Sequence, residues 1–176
     1  PSMLIAYILV FLSIQSDTMR LDYLTGVFNR RHLENFLRRK IGENNPSFAG
    51  IMLDIDSYKK INDEYGHLVG DQALVDFARV LKKSVGVNDV VARYGGDEFM
   101  IVIAANDAKR LQSVVDEIKE NIEKFNAKKK YPFSLNASLG QALYVPSENK
   151  TMEQFINYVD DLMYKNKKNN CLTNSK

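Results

Sequence analysis

Two adjacent glycines, Gly95 and Gly96, separate the apolar runs DVVA and FMIVIA in the middle of the chain. Glycine accepts the positive φ angle of tight turns, so this segment predicts a β-hairpin and therefore an antiparallel strand pair. A turn needs no more than the glycines. Asp97 and Glu98 at the tip repel each other and gain nothing from packing, so their presence requires another explanation.

The rest of the chain alternates between helical and strand patterns. Apolar residues recur at helical spacing in four segments, and two further segments are apolar runs of strand length. Asn29 is a predicted N-cap, Gly42 a predicted helix stop, and Thr151 with Gln154 a predicted capping box. This order predicts an α+β fold, with a sheet covered by helices. The predicted helices are 29–42, 68–85, 111–125 and 151 onward, and the predicted strands are 48–55 and 132–145.

Composition limits the function classes. The chain has 176 residues, of which 45% are hydrophobic, and this predicts one globular domain with a sizeable core. A formal net charge of +2 gives no general electrostatic case for nucleic acid, and we expect none as a partner. The single cysteine, Cys171, excludes an internal disulfide framework and favours a reducing compartment.

Residues 3–14 are almost continuously apolar but shorter than the roughly 20 residues that a spanning helix needs. We interpret them as the remnant of a longer membrane helix, and a buried or partner-packed helix is an equally good interpretation. Arg20, Arg30 and Arg31 favour a cytoplasmic position for the rest of the chain. The expected organisation is an N-terminal apolar helix at 1–20, a folded domain at 21–170 and a tail at 171–176.

The predicted strand 48–55 explains the acidic turn. Asp54 lies where this buried strand leaves the core, and three acids would converge if the strand lies beside the hairpin. Such a cluster would raise the pKa of each carboxyl group unless a cation neutralised it. Oxygen ligands without histidine or cysteine indicate Mg²⁺ or Mn²⁺, which would share the site with substrate phosphates. Taken singly, Asp54 would be a solvated strand-end acid, and Asp56 would cap a helix near Ser57.

The combination of motifs resembles the GGDEF-domain family of diguanylate cyclases between Asp22 and Lys168. The resemblance implies a palm-like fold, similar to class III nucleotide cyclases, with a mostly antiparallel central sheet flanked by helices. It also implies condensation of two GTP molecules into cyclic di-GMP. The matching residues are Asp22, Leu24, Thr25, Gly26, Asn29, Arg30 and Arg31, then Asp54, Asp56, Lys59, Asn62, Asp63, Gly66, His67, Gly70 and Asp71, and then Gly95 to Phe99.

The resemblance also implies a role for each site residue. Asp54, Glu98 and the backbone carbonyl of Ile55 are expected to hold the metal ion, and Asp97 is the expected general base. Among the substrate contacts, Asn62 and Asp71 would read guanine, and the lysines would meet phosphate oxygens. The expected substrate-binding residues are Lys59, Asn62, His67, Asp71, Gly95, Gly96 and Lys167.

Two departures from the family pattern affect these expectations. Cys171 stands where the family usually has a phosphate-contacting arginine, which predicts reduced triphosphate affinity. Gly86 replaces the arginine of the family's Arg-x-x-Asp product-inhibition site, so Asp89 is predicted to be a turn residue. We expect feedback inhibition through that site to be lost.

The expected function is therefore that of the cytoplasmic output domain of a larger signalling protein, anchored in the bacterial inner membrane and active as a homodimer. One alternative is a catalytically silent domain of the same fold that binds GTP as a regulatory module. Another is a related cyclase with a different choice of base.

Overall fold

The structure is a computed structural model that describes residues 3–8, 20–43, 47–105 and 107–173, with side chains described up to residue 168. Its first described segment, 3–8, is helical and is called α1. The remaining elements are β1 (Phe28–Asn29), α2 (Arg30–Ile41), β2 (Ala49–Ile55), α3 (Tyr58–Tyr65), α4 (His67–Lys83), β3 (Val90–Arg93), β4 (Glu98–Ile103), α5 (Ala108–Asn126), β5 (Ala137–Leu143) and α6 (Met152–Thr173).

Five strands form one sheet in the order β1-β3-β4-β2-β5. The short β1 pairs with β3 in parallel, and every other pairing is antiparallel. The predicted mostly antiparallel sheet is confirmed, and so is the central hairpin, which consists of β3 and β4. Strand β2 lies between β4 and β5, and this position explains why all seven of its residues are buried.

Each face of the sheet carries its own hydrophobic core, because the side chains of successive strand residues point to opposite faces. Helices α4 and α5 contribute Phe77 and Ile118 to one core. Helices α2 and α6 contribute Leu37 and Phe155 to the other. The helical stripes predicted from the sequence face these two cores.

The two predicted N-terminal caps are confirmed. The side chain of Asn29 accepts a hydrogen bond from the backbone N–H of His32 at 2.9 Å. At the start of α6, the N–H of Thr151 donates to Gln154 and the N–H of Gln154 donates to the Thr151 hydroxyl, which is the reciprocal pattern of a capping box.

Helix α6 packs directly against β5 at Gly140. A Cβ atom at this position would lie only 2.2 Å from the backbone nitrogen of Met163, so only glycine allows the two backbones to approach so closely. This contact fixes the height of α6 above the sheet. It thereby determines where Lys167, one turn further along the helix, meets the end of β2.

The predicted strand 132–145 begins too early. The backbone of Leu135 is hydrogen-bonded on both sides by the Asn126 side chain, which accepts from its N–H and donates to its carbonyl, so residue 135 has no groups left for a strand ladder. The strand starts at Ala137. The prediction that Asp56 caps the next helix is also wrong. Its carboxylate accepts a hydrogen bond from Ser138. Helix α3 begins at Tyr58, and its N-cap residue, Ser57, makes no side-chain cap hydrogen bond.

No helix in the described part of the chain is long and apolar enough to cross a membrane. The predicted apolar segment at 3–14 lies partly outside the described residues. Within it, the side chains of Met3, Leu4 and Tyr7 are exposed by 88%, 66% and 69%.

Candidate active site

Asp54 and Glu98 lie side by side at the ends of two neighbouring strands. They are register partners in the antiparallel pair formed by β2 and β4. The backbone N–H of Ile55 donates to the carbonyl of Asp97 at 3.2 Å, which extends this pairing into the turn. Asp54 and Glu98 are therefore paired at the ends of these strands, and Asp97 directly precedes Glu98 in the turn.

The turn between β3 and β4 depends on Gly95 for a reason that differs from the predicted one. Neither Gly95 nor Gly96 has a positive φ angle. A Cβ atom at residue 95 would instead lie 2.2 Å from Oε2 of Glu98, so glycine makes room for the glutamate side chain. At Gly96 an added Cβ atom would meet nothing within 4 Å, so open space lies beside this residue.

Arg93 holds the turn in place. Its Nε and Nη2 atoms donate to the carbonyl of Gly96 at 3.0 and 2.7 Å, and Nη1 donates to the carboxylate of Asp22 at 3.3 Å. The same carboxylate accepts hydrogen bonds from the backbone and hydroxyl of Thr25. Sequence reasoning missed this role of Arg93, although its position two residues before Gly95 was a signal.

The site carries more negative charge than its own residues neutralise. Burial raises the pKa of Asp97, and the nearby carboxylate of Asp54 raises it further. Burial also raises the pKa of Glu98, followed in importance by the carboxylates of Asp160, Asp54 and Asp97. Asp160 reaches this group from α6. Asp160 could not be selected from the sequence, because nothing in the helical pattern of α6 distinguishes this residue from a solvated acid.

Lys167 is the cation nearest to this group. Its Nζ atom lies 2.6 Å from Oδ1 of Asp54, and both side chains are largely withdrawn from solvent. Burial lowers the lysine pKa, but the hydrogen bond and the charge of Asp54 outweigh it, so the net shift is upward. Lys167 therefore stays charged and neutralises one carboxylate, leaving Asp97 and Glu98 without an equivalent partner.

The donor set fits a hard divalent cation with oxygen ligands. Asp54 and Glu98 present carboxylates from adjacent register positions, and the Ile55 carbonyl lies next in the chain. Within the described ranges, no three histidine, cysteine, aspartate or glutamate side chains form a group that could hold a metal ion. The protein thus offers about the one or two carboxylates that Mg²⁺ usually takes, and the remaining ligands would come from substrate and water.

A second group lies where α3 meets α4. Asn62 packs against Gly70, where a Cβ atom would lie 2.0 Å from Oδ1 of Asn62. Within the described residues this buried oxygen accepts no hydrogen bond. Asp71, the residue after Gly70 in α4, is exposed. The hydroxyl of Tyr58 also lies close to Gly70. Burial raises the pKa of Tyr58, a hydrogen bond with the Asn62 side chain lowers it, and the charges of Asp71 and Asp97 raise it further, so the net shift is upward.

Lys59 and His67 are exposed at the starts of α3 and α4. Neither has an observed contact with the acids of the turn. The structure therefore brings together Asp54, Asp97, Glu98 and Lys167 at the strand ends and Asn62 with Asp71 at the helix pair, and it leaves Lys59 and His67 at the periphery.

Comparison with known proteins assigns the chain to a family. A family model described as the GGDEF domain of diguanylate cyclases matches residues 19–171. The chain is 33% identical over 150 residues to a probable diguanylate cyclase, DgcC, of Escherichia coli K12, covering 84% of this chain and 40% of that protein. The chain belongs to the GGDEF-domain family of diguanylate cyclases.

Solved structures of GGDEF proteins have the same fold. The isolated GGDEF domain of TpbB (also called YfiN) from Pseudomonas aeruginosa matches with a TM-score of 0.75 and 30% identity, covering 85% of this chain and 89% of that one. The coiled coil and GGDEF domain of DgcB from Caulobacter crescentus, solved with c-di-GMP, matches with a TM-score of 0.78 and covers 96% of this chain and 91% of that one. At 22% identity, this second match supports the fold alone. The chain spans less than half the length of the curated relatives it matches.

The structure describes one of the two departures of this GGDEF domain from the family pattern. Asp89 is a turn residue, as predicted: its carboxylate accepts hydrogen bonds from the backbone N–H groups of Gly86 and Ala104. Arg110 of α5 lies 3.7 Å from the same carboxylate. The side chain of Cys171 lies outside the described residues.

Proposed function

We propose that this domain is a diguanylate cyclase that joins two GTP molecules into cyclic di-GMP and releases pyrophosphate. The observation that carries the proposal is the pairing of Asp54 with Glu98 at the ends of β2 and β4. Asp97 directly precedes Glu98, in the turn that also contains Gly96. These residues supply oxygen ligands and a proton acceptor at one point. The names of the relatives, several of which are diguanylate cyclases, support the same reaction.

Asp97 is the proposed general base. In each condensation step the 3′ oxygen of one GTP attacks the α-phosphorus of the other, a P–O bond to pyrophosphate breaks, and the hydroxyl proton passes to the carboxylate. A base works best when its pKa lies closer to the working pH, and burial together with Asp54 moves the pKa of Asp97 in that direction.

Asp54, Glu98 and the carbonyl of Ile55 are the proposed holders of a divalent ion, Mg²⁺ or Mn²⁺. When bound, such an ion offsets the negative charge that develops on the phosphates. Lys167 then has a second task. Its ammonium group pairs with Asp54 at 2.6 Å, and in a complex with GTP it would bind a phosphate oxygen.

Guanine recognition is assigned to the second group. Asn62 offers a buried carbonyl oxygen without a partner, and this acceptor matches the N–H groups on the edge of guanine. Asp71 adds a carboxylate acceptor nearby. Guanine presents two adjacent donors, N1–H and the exocyclic amino group, to a carboxylate such as Asp71, whereas N1 of adenine is an acceptor, and this favours guanine over adenine. Lys59 and His67 are proposed peripheral contacts to the nucleotide, and the space beside Gly96 admits the substrate.

One such site holds one GTP, so the product requires two domains that face each other. We therefore propose that turnover needs a homodimer, and that the domain acts in the cytoplasm as part of a larger protein attached to the membrane through residues before the domain. The alternative of a silent GTP-binding module predicts nucleotide binding without consumption.

The test is turnover measured against protein concentration, with GTP and Mg²⁺ and with release of pyrophosphate as the readout. A homodimeric cyclase gives a specific activity that rises with concentration, because the active species assembles from two chains. The Asp97→Asn variant is the control at each concentration. Binding of a GTP analogue with no pyrophosphate release at any concentration would support the silent module and refute the proposal.

A further inference from the structure

A basic groove lies between α4 and the C-terminal end of α5, on the helical layer away from the strand ends. It has a volume of about 380 Å³ and a floor formed by Val80 and Phe125. Its rim is strongly basic, and Asp76 is its only acidic lining residue among those described. The rim cations are Arg79, Lys83, Lys124, Lys128 and Lys130.

Internal ion pairs neutralise only part of this charge. Lys130 and Arg79 bind Asp76 at 2.5 and 3.1 Å, and Lys124 pairs with Glu120. Lys83 and Lys128 are exposed and form no ion pair with residues that the structure describes. The groove therefore carries positive charge that ion pairs among the described residues do not neutralise. This charge lies next to an apolar floor.

The groove also adjoins an exposed apolar surface near the start of the domain. Leu21 and Val87 are exposed by 55% and 97%, and both line a cavity that also includes Lys82. Lys82 and Lys83 are successive residues at the C-terminal end of α4, so this cavity and the basic groove lie on neighbouring sides of the same helix end. Exposed apolar residues flanked by lysines are the pattern of a surface that rests on an anionic bilayer, with lysines at the headgroups and apolar side chains at the boundary.

We propose that the basic groove, together with Leu21 and Val87, contacts the phosphate headgroups of an anionic lipid membrane. A single-stranded nucleic acid would also be attracted by the charge, but it needs exposed aromatic rings for stacking, and Phe125 is half-buried next to Tyr131. This inference rests on the charge and shape of the groove. It is independent of the proposed cyclase activity, because binding can be measured without GTP.

The test is sedimentation of the full chain with lipid vesicles of phosphatidylcholine alone or mixed with phosphatidylglycerol. We expect binding to the mixed vesicles, weakened by added salt. The Lys83→Glu/Lys128→Glu variant should bind at least roughly tenfold more weakly, because each basic residue near such a surface contributes a several-fold gain in affinity. Neither lysine has an observed ion pair, so the variant should keep the melting temperature of the unmodified chain.

The matched control is Lys109→Glu/Lys119→Glu. It makes the same change in net charge with two exposed lysines of α5 that do not line the groove, and it should keep most of the binding. Equal losses in the two variants would refute a specific groove. Equal binding to both vesicle types, unchanged in the groove variant, would assign binding to the apolar segment 3–14 and overturn the proposal. Loss of RNA or inorganic phosphate binding in the groove variant, without any loss of vesicle binding, would also overturn it.

Discussion

Asp76 and Asp54 are both buried, but their surroundings differ, because only Asp76 lies in a cluster whose charges are fully paired. Asp76 accepts hydrogen bonds from Lys130 at 2.5 Å and from the Tyr131 hydroxyl at 2.6 Å. Burial alone would raise its pKa, but these bonds outweigh it and lower the pKa below the usual value. At the strand ends, Asp97 and Glu98 have raised pKa values and share Lys167 with Asp54. A carboxylate that serves the fold is fully paired, whereas the acidic turn retains a deficit of positive charge that a ligand can fill.

The largest expected difference between the two sites is the effect of an aspartate-to-asparagine substitution on turnover. Asp97→Asn keeps the volume of the side chain but cannot accept a proton, so turnover should fall by roughly 10²–10⁴-fold while binding of a GTP analogue persists. Asp76→Asn is the matched control, and it should retain the turnover of the unmodified protein per folded molecule. The measurement is pyrophosphate release at fixed protein concentration. Near-normal turnover of Asp97→Asn would mean that another group takes the proton.

The second effect concerns ligand binding at the acidic turn. Mg²⁺ with a non-hydrolysable GTP analogue should raise the melting temperature of the unmodified chain by mass action. Asp54→Asn removes a carboxylate ligand and should abolish most of that rise, whereas Asp76→Asn should keep it. The readout is thermal unfolding with and without the ligands. A full ligand-induced rise in Asp54→Asn would remove Asp54 from the site.

The third effect is on the stability of the structural cluster. Asp76→Asn leaves Lys130 and Arg79 without their carboxylate, and we expect it to lower the free energy of unfolding by about 2 kcal/mol at neutral pH. Because the pKa of Asp76 is lowered by folding, its stabilisation is complete above the unfolded pKa of about 3.9 and is lost as the pH falls through the folded pKa. Urea unfolding at a series of pH values measures this. A variant that differs equally from the parent at pH 7 and in strong acid would contradict the assignment.

The smallest expected effect is a gain in stability, opposite in sign to the loss expected for Asp76→Asn. Folding raises the pKa of Asp97, so its ionised form destabilises the ligand-free protein, fully so above the folded pKa and not at all below the unfolded one. Asp97→Asn should therefore melt roughly 1–3 °C higher than the parent at neutral pH, a shift that corresponds to less than about 1 kcal/mol in a chain of this size. The difference should vanish in acid. A lower melting temperature at neutral pH would show that the carboxylate supports the turn.

The sequence predicted the sheet, the helical stripes and the meeting of Asp54 with Glu98, because local periodicity and an antiparallel hairpin leave few arrangements for a chain of this length. It did not predict what depends on contacts between distant residues. Leu135 is excluded from β5 by the side chain of Asn126, and Gly95 leaves room for the Glu98 side chain but has no positive φ angle. Lys167 was expected at phosphate from the family resemblance, but its ion pair with Asp54 depends on the packing of α6 on Gly140, which no local pattern predicts. The assigned roles of the site residues stay predictions.

Arg93 joins two distant parts of the chain, Asp22 at the start of the domain and Gly96 in the acidic turn, through a single guanidinium group. The guanidinium is planar and presents its donors in a fixed geometry, so both hydrogen-bond partners are held in one orientation relative to each other. The residue at the start of the domain and the residue that directly precedes Asp97 are therefore anchored to the same side chain.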